Sequence, residues 1–166
     1  MTATAYIDES IRAGHYHLCA VLVPSSRSAA VTRIVRQLAH PHPHIHMQKR
    51  NDRERLEYVR EVARMRLTAY VTAERGSARP SRDAALRLLT SHLLRTDVAA
   101  MTVESCGQDA ADRRILRDIL GANAAMRYEF RDKSELLLSL PDVVAWAHPR
   151  GRKWRDALGD TVTVLR

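Results

Sequence analysis

Thr4-Ala5-Tyr6-Ile7-Asp8-Glu9-Ser10 is a short apolar run that ends in two carboxylates. A turn at Arg12-Ala13-Gly14 follows, then a second apolar run from His15 to Val23, stopped by Pro24. The pair predicts a β-hairpin at the start of the chain, with the acids at its tight end. An acid in an otherwise apolar strand is costly unless it is used. A strand end fixes such a group in space, so Asp8 is a candidate metal ligand. Glu9 points to the opposite face of an extended strand and is read as a solvated neighbour or a supporting group. Working outward, Glu104 closes the run Val98 to Val103, and Asp142 lies in Leu140-Pro141-Asp142-Val143-Val144-Ala145-Trp146. Acids converging from separate elements are what a magnesium site for phosphate substrates requires.

The 166 residues suit a single domain over 1–166, and 45% apolar content is enough for a core. No apolar run is long enough to span a bilayer, so no membrane association is expected. Cys19 and Cys106 do not make a disulfide framework, which favours a reduced, cytoplasmic setting. The formal net charge is +8. Lys49, Lys133 and Lys153 are the only lysines among 27 basic residues. The plainer reading of arginine replacing lysine is genomic base composition, which does not by itself explain the excess positive charge. Guanidinium groups bind phosphate in bidentate fashion, and a basic surface favours nucleic acid as partner.

Apolar spacing predicts a helix over Ser28–Ala39, and a break follows at His40-Pro41-His42-Pro43. His44 to Gln48 is read as a short strand. Asn51 and Glu54 form a capping box for the next helix. Leu67 to Ala73 and Val98 to Glu104 are strands, separated by a helix capped by Ser81. Gln108 to Leu120 is a helix closed by Gly121. Met126 to Phe130 is a strand. Pro141 fits the first turn of a helix reaching about His148, capped by Ser139 or Leu140. Thr161 to Leu165 is a last edge strand, able to pair across a homodimer. A hairpin followed by alternating strands and helices indicates an α/β domain with a mixed central sheet and flanking helices.

Four stretches taken together resemble a known family. They are Tyr6-Ile7-Asp8-Glu9-Ser10, the second strand, Ile45-His46 before a charged helix, and Leu140-Pro141-Asp142-Val143-Val144-Ala145. They are similar to a group of uncharacterised prokaryotic proteins that open with Tyr-hydrophobic-Asp-Glu-Ser-Gly. Those proteins carry Leu-Gln-hydrophobic-Ala-Asp-hydrophobic-hydrophobic-Ala near the end. The resemblance spans roughly residues 4 to 148. It departs at Ile11, where the family has glycine, and at Ser139 and Pro141, where the family has Gln and Ala. It implies a ribonuclease H-like fold in which Asp8, Glu104 and Asp142 hold two Mg2+ or Mn2+ ions for phosphodiester hydrolysis.

Each candidate has a plainer alternative. Glu104 and Asp142 also suit helix starts, where the helix dipole favours acids. Asp109 or Asp112 could replace Glu104. His46 is a candidate to position phosphate or carry a proton, or else a strand histidine at a sheet edge. His40, His42, His44 and His46 would share one face of an extended chain and so could bind zinc or nickel, though a plain loop is preferred. Trp146 and Trp154 flank a basic stretch. Trp146 is read as buried, and Trp154 as available to stack on bases. Arg50, Arg53, Arg113, Arg114, Arg150, Arg152 and Lys153 are the candidate phosphate contacts. The functional expectation is a metal-dependent nuclease acting on RNA or DNA. The alternative is a catalytically inactive nucleic-acid- or partner-binding module on the same fold.

Overall fold

Strict alternation governs the first two strands. Ala5, Ile7, Leu18 and Ala20 point to one face and Tyr6, Cys19, Val21 and Val23 to the other, so both faces must be covered. The computed structural model describes residues 2–121 and 126–166. Its strands are β1 (Ala3–Arg12), β2 (His15–Pro24), β3 (Ala69–Thr72), β4 (Glu74–Arg75), β5 (Val98–Glu104), β6 (Arg127–Arg131) and β7 (Val162–Leu165). They form one mixed sheet in the order β6-β5-β1-β2-β3-β7, with the short β4 also paired to β2. The helices are α1 (Ser28–Ala39), α2 (Asp52–Arg64), α3 (Arg79–Leu93), α4 (Asp109–Leu120), α5 (Ser139–Ala147) and α6 (Arg152–Leu158). Helices α1, α2, α5 and α6 cover one face of the sheet, and α3 and α4 cover the other.

Antiparallel pairing joins β1 to β2, and parallel pairing joins β1 to β5 and β5 to β6. The hairpin turn is the two-residue loop Ala13-Gly14, with φ of +49° and +73°. Two positive φ values match the twist of the flanking strands, and Gly14 adopts one without steric penalty. The hairpin runs past the acids instead of ending at them, because Asp8 pairs with Cys19 and Ile11 still pairs with Tyr16. Ile7, Leu18, Leu86, Leu89, Met101 and Leu116 are fully buried on the α3–α4 side. Each contributes about 1.5–3 kcal/mol of apolar burial.

Further sequence expectations change: neither Ser139 nor Leu140 caps α5, which begins at Ser139 after Leu138. His44 to Gln48 is not a strand but an irregular segment ending in a single 3-10 turn, Met47–Lys49. Side chains of α5 take its amides in place of a strand partner, with Ile45 N donating to Ser139 Oγ at 3.0 Å and Met47 N to Asp142 Oδ2 at 2.9 Å. The α3 helix begins at Arg79, and Ser81 donates its hydroxyl to Arg75 O at 2.8 Å instead of capping. The basic stretch after Trp146 does not leave Trp154 free to stack on bases. It folds into a 3-10 turn and α6, and Trp154 is buried edge-on against Trp146 with ring centroids 4.8 Å apart. Trp154 therefore offers no free face for a base. Among the described residues, no helix is long and apolar enough to cross a membrane.

Candidate carboxylate site at the strand ends

The site follows from strand register. Parallel pairing sets Ile7 against Val103, so the next residues on each strand, Asp8 and Glu104, lie side by side. Both belong to the sheet face that α5 covers, since Tyr6 two residues earlier packs with that layer. The α5 helix starts with Ser139 and carries Asp142 in its first turn. Pro141 fits there because the first turn leaves its amides without intrahelical partners. Asp8, Glu104 and Asp142 come together with His44, His46, Lys133 and Ser139 around a small cavity of about 20 Å³. That cavity adjoins a groove of about 370 Å³, whose walls add Glu9, Ser10, Ile11, Gln48, Trp146 and Arg150.

Asp8 is only 7% exposed. Its Oδ1 accepts from Glu9 N at 2.6 Å. Burial pushes its carboxyl well above the usual carboxylate range. The hydrogen bond to Glu104 and the charges of Glu104 and Asp142 push the same way, and Lys133 pulls it back. Burial also raises the Asp142 carboxyl, against the pull of the Met47 amide, His46 and Lys133. Burial lowers the His46 imidazole, partly offset by Asp142, and its Nδ1 is buried without a partner. Lys133 Nζ lies 3.1 Å from Glu104 Oε1. Acids held this close are stable together only with a proton or a cation among them. Their all-oxygen, anionic donor set suits a hard divalent ion. Among the described residues, no three His, Cys, Asp or Glu side chains are gathered tightly enough to enclose an ion by themselves.

The other candidates divide by face. Glu9 turns away from Asp8, as its strand position predicts, and forms an ion pair with Arg82 on the α3–α4 side. Asp112 is fully buried there, 2.6 Å from Arg82 Nη2, and Asp109 accepts from Cys106 N at 2.8 Å. Neither takes the place of Glu104. Arg113 and Arg114 are exposed on α4, behind the sheet, with Arg113 stacked 4.7 Å from the Phe130 ring. Arg150 is beside the acids. It stacks 3.9 Å from the Trp146 ring and donates to Trp146 O at 2.8 Å. Burial, with help from Arg12 and Arg55, holds its pKa down at about 10. Arg55 stacks on Trp146 as well, at 4.7 Å, and pins the 3-10 turn through Met47 O at 2.9 Å. Arg53 is exposed on α2, and Arg50 follows the turn with its Nε buried and unpartnered. Arg152 and Lys153 begin α6, with Lys153 5.0 Å from the Trp154 ring. His40 and His42 are exposed in turns and do not join His44 and His46, so the four histidines share no face. Lys133 is the groove cation that the sequence reading missed. The retention of a lysine in so arginine-rich a chain was the available signal for Lys133.

The fold is ribonuclease H-like. A point mutant of Bst-RNase HIII superposes with a TM-score of 0.55 at 13% identity, over 86% of this chain and 50% of that one. Bst-RNase HIII in complex with Mn2+ gives 0.52 at 13% identity, over 87% and 51%. RNase HII from Archaeoglobus fulgidus, in its complex with PCNA, gives 0.51 at 17% identity, over 89% and 71%. The chain thus spans about half the length of the RNase HIII structures it matches. No family model and no curated protein matches the sequence.

Proposed function

We propose that this chain is a divalent-metal-dependent nuclease that hydrolyses phosphodiester bonds of RNA or DNA. The observation that carries the reading is the meeting of Asp8, Glu104 and Asp142 from three elements at one end of a ribonuclease H-like sheet. Asp8, Glu104 and Asp142 would hold Mg2+ or Mn2+. The similar Bst-RNase HIII forms a complex with Mn2+. Such an ion activates water and offsets charge on the leaving oxygen. The chain's own residues do the rest. The sheet fixes Asp8 and Glu104, and the Met47 amide orients Asp142. His46, half-buried with a free Nδ1, is placed to carry a proton between the groove and solvent. Arg150 lies beside the acids and would meet a flanking phosphate, with Gln48 on the same wall and Arg12 near enough for its charge to act on Arg150.

The two departures from the family pattern do not disturb this arrangement. Ile11 continues β1 in regular pairing, and Pro141 sits where a helix tolerates it. The deciding experiment is a cleavage assay of wild type and Asp8→Asn. Labelled single-stranded RNA, single-stranded DNA, duplex DNA and an RNA–DNA hybrid are each tested with Mg2+, Mn2+ or chelator. Metal-dependent cleavage that disappears in Asp8→Asn is the expected result and defines the substrate class. Binding without cleavage would favour the inactive nucleic-acid-binding module.

A further inference from the structure

The groove contains a cation supplied by the chain. Lys133 Nζ sits 3.1 Å from Glu104 Oε1, and its charge acts on Asp8 and Asp142 as well. The placement is built, although the side chain is 59% exposed. Ser105 N donates to Arg131 O at 2.7 Å and ties the end of β6 to the end of β5. Asp132 Oδ1 accepts from Ser134 N at 2.8 Å, and Glu135 N donates to Asp132 O at 3.1 Å. The backbone is therefore hydrogen-bonded on both sides of Lys133, and its side chain lines the same cavity as the three acids. The residue type matters too. A guanidinium would lock onto one carboxylate in a planar fork, whereas an ammonium is a compact point charge that several oxygens can share. Charge balance points the same way. One divalent ion and one ammonium neutralise three carboxylates before substrate enters.

We propose that Lys133 stands in for a second metal ion, staying in the groove beside a single divalent cation and holding a non-bridging oxygen of the substrate phosphate. The inference rests on the nuclease reading and makes Lys133 a catalytic residue, because its ammonium touches the reacting group. The hydrolysis itself is unchanged: water adds to phosphorus, one P–O bond breaks, and the departing oxygen takes a proton. Lys133 keeps its own proton and supplies only charge.

The test titrates Mn2+ into wild type, Lys133→Met and Lys133→Arg by calorimetry, without substrate. Wild type is expected to take one Mn2+ per chain. Lys133→Met is expected to bind Mn2+ about tenfold more tightly, because a like charge has been removed. Lys133→Arg is expected to stay near wild type. With saturating Mn2+, kcat for cleavage falls about 100-fold in Lys133→Met with KM little changed, and Lys133→Arg retains part of it. Two Mn2+ per wild-type chain, equal or weaker binding by Lys133→Met, or full kcat in that variant each overturn the proposal. Absence of cleavage by wild type overturns the nuclease reading, while the Mn2+ titration still judges Lys133.

Discussion

Asp8 is legible in the sequence because an acid interrupts an apolar strand. Its neighbours are not, because only strand register decides what stands beside it. Register sets Glu104 next to Asp8 and sends Glu9 to the far face, toward Arg82. A consequence for stability follows. Burial and the charges of Glu104 and Asp142 make the Asp8 carboxylate unfavourable in the folded chain without metal. Asn keeps the oxygen that accepts from Glu9 N and replaces the like charge with a donor toward Glu104. In chelator, Asp8→Asn is therefore expected to be more stable than wild type by about 1 kcal/mol, or 2–4 °C in Tm for a chain of this size. Adding Mn2+ should raise the wild-type Tm and leave that of Asp8→Asn nearly unchanged. Paired melting curves with and without Mn2+ check both statements. A lower Tm for the variant in chelator would mean that Asp8 is not held against its neighbours' charge.

At the scale of elements, the hairpin, the strand Val98–Glu104 and the helices that follow were readable from periodicity and capping. Alternation and 3.6-residue spacing are local signals. The stretch from His44 to Gln48 was misread because its short apolar–polar alternation resembles a strand, whereas its amides are claimed by side chains nearly a hundred residues away. The α6 helix was missed because Gly151, Pro149 and a run of basic residues hide the apolar contacts of Trp154 and Leu158. The α5 anchor of the 44–48 segment makes its own prediction. Ser139 is 2% exposed, and its hydroxyl accepts the Ile45 amide. Ser139→Ala leaves that buried N–H unpaired, which costs about 1–3 kcal/mol. Hydrogen exchange should speed up at Ile45 and Met47 well before the β1–β2 hairpin is affected. Unchanged exchange at Ile45 would show that the segment is held by its apolar packing alone.

Over the whole molecule, the sheet separates two kinds of arginine that the sequence could only count together. Arg12 and Arg150 stand on the carboxylate side, and Arg113 and Arg114 lie on α4 behind the sheet. Net charge alone predicts nucleic-acid affinity without a face; under the proposed function the carboxylate groove is that face. A strand laid in the groove meets Arg150, whose guanidinium is pre-oriented by the Trp146 ring and carbonyl, and Arg12 nearby. Binding measured in chelator, where no cleavage intervenes, should weaken steeply with salt, because each neutralised phosphate releases counterions. Arg150→Ala and Arg12→Ala should each reduce the slope of log affinity against log salt by about 0.7 for a single strand or about 0.9 for a duplex. Arg113→Ala should leave the slope unaltered, because its guanidinium rests on Phe130 on the opposite face. Fluorescence anisotropy with a labelled oligonucleotide across a salt series measures all three. A slope that responds to Arg113 and not to Arg150 would put the nucleic acid on the α3–α4 side, away from Asp8, Glu104 and Asp142, and would remove the geometric basis for cleavage.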